Sequence, residues 1–92
     1  MATLHSTVRV APDVLFNELD GEAVVLNLTT GKYFGLNEVG TRMWALLAVH
    51  ATVDVVYRSL LAEYDVSADS LQHDLVKLVD DLAGQGLVSI VP

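Results

Sequence analysis

The pattern of apolar residues changes its period once along this 92-residue chain, and the change falls within residues 22–40. In the run EAVVLNL, residues 22–28, a period of two places Val24, Leu26 and Leu28 on one side and Val25 and Asn27 on the other, which is typical of a β-strand. From Asn37 onward, the apolar residues take the spacing of a helix with one buried face. The sequence therefore predicts strands in the first part of the chain and helices in the second part.

Two turn signals divide the first part into strands. Asp20 and Gly21 both favour the positive φ of a tight β-hairpin, and Gly31 can supply the same conformation in a three-residue loop. Antiparallel strands are therefore expected at residues 14–19, 22–28 and 32–36. Residues 6–10 also alternate, but Pro12 follows them, so they are expected to form a short edge strand or an extended lead-in.

Three helices are expected in the second part, because three residues that can cap a helix each precede an apolar stripe of helical period. Their expected limits are Asn37 to His50, Thr52 to Tyr64 and Ser67 to Gln85. Gly84 and Gly86 stop the third helix and leave an apolar tail. This order predicts one α+β domain over residues 1–92, a winged helix-turn-helix with a three-stranded antiparallel sheet followed by three helices.

The net charge of −7 is spread unevenly over the chain. Residues 1–50 hold five acidic and three basic residues, whereas residues 51–92 hold seven acidic and two basic residues. A protein that binds a nucleic acid duplex needs a basic surface, and the helical part offers only Arg58 and Lys77. Nucleic acid is therefore not expected as a partner.

The chain also lacks the signals of membrane insertion or export. No segment approaches the ~18 apolar residues that a membrane helix requires, and the first ten residues have neither a basic start nor an apolar run. Cysteine is absent, which fits a reducing compartment. We expect a cytoplasmic protein without a membrane partner.

Side chains that could carry out catalysis are scattered. The sequence has no G-x-S-x-G motif, and His5, His50 and His73 have no second histidine or cysteine at helical spacing. Asp80 and Asp81 point about 100° apart on a helix, so their carboxylates do not share a site. Neither an enzyme nor a metal or cofactor is expected.

A binding surface remains, centred on Tyr33 and Phe34 of the short third strand. Strand alternation directs one of them toward the helices and the other away. Phe34 could simply be a core residue with Tyr33 half-exposed, or the strand could accept another strand beside an apolar groove. The third helix offers two faces for such a groove, one with Asp74, Lys77, Leu78 and Asp81 and the other with Gln72, Val76 and Ala83. Periodicity does not decide between them.

Two long runs of the sequence resemble the PqqD-like proteins, named after a pyrroloquinoline quinone synthesis protein. The runs are LDGEAVVLNLTTGKYFGLNEVGTRMW at residues 19–44 and DLVKLVDDLAGQGLV at residues 74–88. The resemblance covers residues 14–88 and includes the pattern of Leu36, Asn37 and Gly40. Members of this family are recognition elements for ribosomally made, modified peptides, and they are small winged-helix domains that bind the leader segment of a precursor peptide.

The resemblance implies that a leader peptide adds as an antiparallel strand along residues 32–36 and lies in a cleft between this strand and the third helix. The residues expected to bind the peptide are Lys32, Tyr33, Phe34, Gly35, Leu71, Asp74, Leu75, Lys77 and Leu78. The protein itself is then expected to be noncatalytic.

The chain resembles the free-standing members of the family, which serve lasso peptide or pyrroloquinoline quinone synthesis. The run GKYFGLN is more similar to the lasso peptide group, in which the recognition protein delivers the precursor to a separate leader peptidase or other tailoring enzyme. The alternatives are a peptide chaperone that acts with a radical SAM enzyme in quinone synthesis, an acidic winged-helix protein that binds DNA, and a scaffold for a partner enzyme.

Overall fold

A computed structural model describes residues 2–91 of the chain. Its elements, in chain order, are β1 (Thr7–Val10), β2 (Val14–Leu19), β3 (Glu22–Asn27), β4 (Tyr33–Leu36), α1 (Glu38–His50), α2 (Val53–Glu63), α3 (Ala68–Gly84) and β5 (Val88–Val91). The α+β class predicted from the sequence is confirmed. Over this described range, every helix is too short or too polar to cross a membrane.

The central sheet has the antiparallel order β2-β3-β4. Asp20 and Gly21 have φ values of 55° and 81°, and Gly31 has a φ of 76° in the turn that precedes β4. The two predicted hairpins are therefore present, because residues that tolerate positive φ stand where the chain reverses. Strands β2 and β4 form the two edges of this sheet.

A second, two-stranded sheet pairs the two ends of the chain. In it β1 and β5 are antiparallel, with Val8 opposite Ile90. The opposite edge of β1 is held by the connection between α1 and α2, through bonds from Val8 N–H to the Ala51 carbonyl and from Val53 N–H to the Ser6 carbonyl. The sequence pattern left the apolar tail unassigned, because the partner of β5 lies at the other end of the chain.

The helices begin at the predicted caps. The Asn37 side chain accepts a hydrogen bond from Gly40 N–H at 2.8 Å, and Ser67 accepts one from Ser70 N–H at 3.4 Å. Thr52 is the N-cap residue of α2, but its side chain makes no capping hydrogen bond. The first and third helices therefore have a side-chain partner for one free backbone N–H, and α2 does not.

The core lies between the helices and the inner face of the central sheet. Its fully buried larger side chains are Val25, Val53, Val56, Leu60, Leu75, Val79, Leu82 and Leu87, with Leu47 at 1% exposed. At the margin, the Phe16 ring stacks on the ring of Trp44 at a centroid distance of 6.3 Å and an angle of 6°. Trp44 is the only tryptophan in the sequence, so its fluorescence reports on this junction of sheet and helix.

Candidate functional site

A cleft of about 500 Å³ opens between the start of α1 and the length of α3. Its lining consists of Asn37, Val39, Gly40 and Met43 on one side, Ser70, Leu71, Asp74, Lys77, Leu78 and Asp81 on the α3 side, and Tyr64 and Val66 from the end of α2 and the connection that follows it. The α1 side of the cleft begins one residue after β4 ends, so the cleft adjoins the end of the edge strand.

Gly40 allows α1 to start close against β4. A Cβ atom at this position would lie 3.2 Å from Asn37 Oδ1 and 3.4 Å from Leu36 Cδ2, closer than most Cβ contacts. The Gly40 N–H is also the donor to the Asn37 cap. The sequence pattern of Leu36, Asn37 and Gly40 thus fixes the corner between the edge strand and the cleft.

The interior of the cleft is apolar. Met43 and Leu71 are 3% and 4% exposed at its base, and Leu78 is half-buried. Val39 and Val66 are apolar and exposed, so they extend this surface to the mouth of the cleft. Such a surface suits an aliphatic side chain that arrives from outside.

The charged groups of the cleft lie on α3. Lys77 Nζ is 3.2 Å from Asp81 Oδ2, one helical turn away, so this cation is already paired. No hydrogen bond or ion pair joins the Asp74 carboxylate to another described residue. The cleft therefore presents one carboxylate that is available for a ligand.

A further ion pair connects α1 and α2 beside the cleft. Arg42 Nε lies 2.8 Å from Glu63 Oε1, and Nη2 lies 3.2 Å from Oε2. The hydrogen bonds that Arg42 donates to the Glu63 carboxylate, followed by the negative charge of that carboxylate, raise the pKa of Arg42 above its ordinary value. The pair joins α1 to the last residue of α2, one residue before Tyr64.

The structure decides which face of α3 lines the cleft. Asp74, Leu78 and their neighbours on that face look toward α1, whereas Gln72 and Val76 line a separate groove beside the N-terminal residues 2–5. That segment is tied to α3 by a 2.7 Å hydrogen bond from Ala2 N–H to Asp80 Oδ1. The sequence left two faces of the third helix open. The face with Asp74, Lys77, Leu78 and Asp81 is therefore the one that lies beside the end of β4.

The residues of the edge strand do not line the cleft with their side chains. Tyr33 is 70% exposed on the outer face of the sheet, and Phe34 is half-buried against the core. Lys32 and Gly35 are exposed. The cleft of about 500 Å³ lies between α1 and α3, and β4 adjoins it with its backbone edge, so the expected binding of a peptide between β4 and α3 stays a prediction.

Strand alternation identifies which backbone groups of β4 point to the open edge. Asn27 N–H donates to the Lys32 carbonyl at 2.8 Å, so the carbonyl of Lys32 faces β3. In an antiparallel pair this orientation alternates, which turns the N–H and C=O groups of Tyr33 and Gly35 outward. The open edge therefore offers two hydrogen-bonding residues that lead toward the cleft.

Leu75 has no access to the cleft, although it belongs to the set expected to bind the peptide. Its side chain is fully buried at the centre of the α3 stripe. The expectation that Leu75 contacts the peptide directly is corrected, because its side chain has no exposed surface and packs in the core behind the cleft wall. Leu71, Asp74, Lys77 and Leu78 of that set do line the cleft.

Sequence reasoning missed the other half of the lining. Val39 and Met43 lie on the apolar stripe that predicts the first helix, Tyr64 ends the stripe of the second helix, and Val66 follows in the connection. Nothing local distinguishes an apolar residue that packs on the core from one that packs at the base of a cleft. Only the approach of α3 to α1 makes these residues neighbours.

The arrangement suits an extended chain better than it suits catalysis or metal binding. Across residues 2–91, histidine and carboxylate side chains form no group of three that could hold a metal ion. His5, His50 and His73 are all exposed. An open strand edge supplies backbone hydrogen bonds, and the neighbouring apolar cleft can select side chains.

The family model described as Coenzyme PQQ synthesis protein D (PqqD) matches residues 22–88. The chain belongs to the PqqD family. Comparison with curated proteins gives no match.

Two solved structures share the fold. TbiB1 in complex with the TbiA(beta) leader peptide superposes with a TM-score of 0.81 at 33% identity, over 88% of this chain and 94% of that one. A lasso peptide synthetase B1 complexed with the leader peptide gives a TM-score of 0.77 at 24% identity, over 94% of this chain and 99% of that one. The second likeness concerns the fold alone.

Proposed function

We propose that this protein binds the leader segment of a ribosomally synthesised precursor peptide in lasso peptide biosynthesis. The observation that carries the proposal is the open edge of β4, which ends one residue before the apolar cleft begins. The complex of TbiB1 with a leader peptide supports it, because that protein is 33% identical over most of both chains.

In the proposed complex, the leader adds to β4 as an antiparallel strand. Its backbone bonds to the outward groups of Tyr33 and Gly35, and side chains beyond this contact enter the cleft between Met43 and Leu78. Main-chain bonds would supply affinity without sequence preference, and the cleft would supply the preference. Phe34 holds the strand to the core, and Lys32 stands at its exposed start.

We also propose a role for the domain as a whole. Residues 1–92 act as one recognition domain of winged helix-turn-helix type, without catalytic activity of their own. The bound precursor is delivered to a separate leader peptidase, as expected for the lasso peptide group. A docking surface for that enzyme has to be distinct from the cleft, which the leader occupies.

The outer face of the central sheet fits this requirement. Its residues Leu15, Leu19, Val24 and Tyr33 are 52%, 76%, 45% and 70% exposed, and the register places Leu15, Leu26 and Tyr33 side by side across the three strands. A contiguous apolar sheet face is unusual on a protein surface unless it meets a partner. We therefore assign this outer face to the peptidase.

Isothermal titration calorimetry tests leader binding. The probes are a synthetic leader of the precursor encoded beside the gene and the TbiA(beta) leader peptide. We expect binding at micromolar or lower Kd to the first, which corresponds to about −8 kcal/mol or more. The absence of heat with both peptides at high micromolar concentration would contradict the proposal.

Delivery is tested by cleavage of the precursor by the peptidase encoded nearby. Leu19→Lys on the outer face should leave leader affinity unchanged and slow cleavage. Val49→Lys is the matched control, since Val49 is also 76% exposed but lies on α1. Equal cleavage rates with both variants would remove the outer face from the proposed function while leaving leader binding intact.

A further inference from the structure

The cleft carries a feature that binding of an extended peptide does not itself require. Its base is apolar, yet the exposed Asp74 carboxylate on its α3 wall has no cationic partner in the described part of the chain. The neighbouring cation, Lys77, is engaged by Asp81 at 3.2 Å. A ligand that enters the cleft therefore meets a single uncompensated negative charge beside an apolar base.

Leaving that carboxylate beside an uncharged ligand is unfavourable. A bound peptide removes water from Asp74, and the desolvation is compensated only if the peptide supplies a donor or a positive charge. The protein's net charge of −7 adds a field that attracts cations to its surface. Both effects favour a basic residue in the ligand.

The spacing on α3 defines where that basic residue stands in the ligand. Asp74 and Leu78 are four residues apart on one face of the helix, a rise of about 6 Å. In an extended peptide, side chains two residues apart point the same way and are separated by about 6.6 to 6.8 Å. A strand that runs along α3 can therefore place one side chain at Asp74 and the next on the same side at Leu78.

We propose that the cleft selects an extended peptide in which a lysine or arginine lies two residues from an aliphatic residue. The basic side chain bonds to the Asp74 carboxylate. The aliphatic side chain sits over Met43, Leu71 and Leu78. This inference rests on the proposed function, and it names the class of leader that this cleft accepts.

The test is selection from a displayed library of random 16-residue peptides on the immobilised full-length protein. Wild-type protein should enrich a basic residue two positions from leucine, isoleucine, valine or methionine, in one fixed order. The Asp74→Lys variant should enrich an acidic residue at the same position. The Asp69→Lys variant is the matched control, because it makes the same change of charge on the same helix but lies outside the cleft.

Affinity measurements complete the test. Replacing the basic residue of a selected peptide with glutamine should weaken binding to wild-type protein about two- to fivefold and leave binding to Asp74→Asn unchanged. Peptides enriched for aliphatic residues without a basic position, or the same enrichment with Asp74→Lys, would overturn this inference and leave leader binding standing. If no peptide is enriched and no leader binds, both proposals fail.

Discussion

Asn27 and Gly86 are joined by a hydrogen bond that connects the two sheets of the protein. Asn27 Nδ2 donates to the Gly86 carbonyl at 2.8 Å across 59 residues of sequence, and Oδ1 of the same side chain accepts from the N–H groups of Thr29 and Thr30. The Asn27 side chain is only 7% exposed. One buried amide therefore fixes both the turn before the edge strand and the turn before β5.

Replacing Asn27 with alanine should destabilise the protein by about 2 to 3 kcal/mol, because one carbonyl and two turn N–H groups lose their partner in a largely buried place. Urea unfolding followed by Trp44 fluorescence measures the change. Asn17→Ala is the control, since Asn17 is exposed on β2 and should change stability by less than about 0.5 kcal/mol. Equal effects for the two variants would remove Asn27 from this role.

Two glycines at the end of α3 should respond to alanine with opposite signs. Gly86 has a φ of 72°, a conformation that costs an L-residue about 1 to 2 kcal/mol, so Gly86→Ala should lower stability. Gly84 lies in the helix with open space around a Cβ, so Gly84→Ala should raise stability by about 0.5 kcal/mol. Thermal unfolding of both variants checks the signs, and a stabilised Gly86→Ala would contradict this account.

Substitutions at Leu75 and Leu78 should affect protein stability and leader binding to different degrees. Leu75 is fully buried, so Leu75→Ala should cost about 2 to 5 kcal/mol of stability. Leu78 is half-buried on the cleft wall, so Leu78→Ser should cost about 1 kcal/mol and weaken leader binding at least tenfold. Unfolding and calorimetric titration on the same samples measure both quantities. A Leu78→Ser variant with unchanged affinity would show that the leader does not use the cleft.

Gly35 allows the strand edge to be tested without removing a side chain. Gly35→Pro deletes an N–H that points outward, so the sheet should survive while leader affinity falls about tenfold. Gly35→Ala keeps the N–H, and its Cβ would meet nothing within 4 Å, so it should bind as the wild type does. Titration of both variants with one leader peptide provides the comparison. Strand addition at β4 is refuted if the proline variant binds normally.

Local pattern was sufficient for most of the elements. Asp20-Gly21 and Gly31 identified both hairpins, and the caps at Asn37 and Ser67 placed the starts of two helices, because each signal acts within four residues. Local pattern did not predict β5, because its partner β1 lies at the other end of the chain. Pairing between distant segments leaves no trace in local periodicity.

The sequence by itself determined the antiparallel meander, the three helices, the acidic helical half and the likeness to the PqqD family. Tertiary structure alone decided which face of α3 meets the start of α1, and so brought Asp74 and Leu78 together with Met43 and Val39 in one cleft. It also placed Leu75 in the core and turned Tyr33 to the outer face. The physical reason is that helical periodicity fixes which residues share a face, whereas the packing of elements fixes what that face meets.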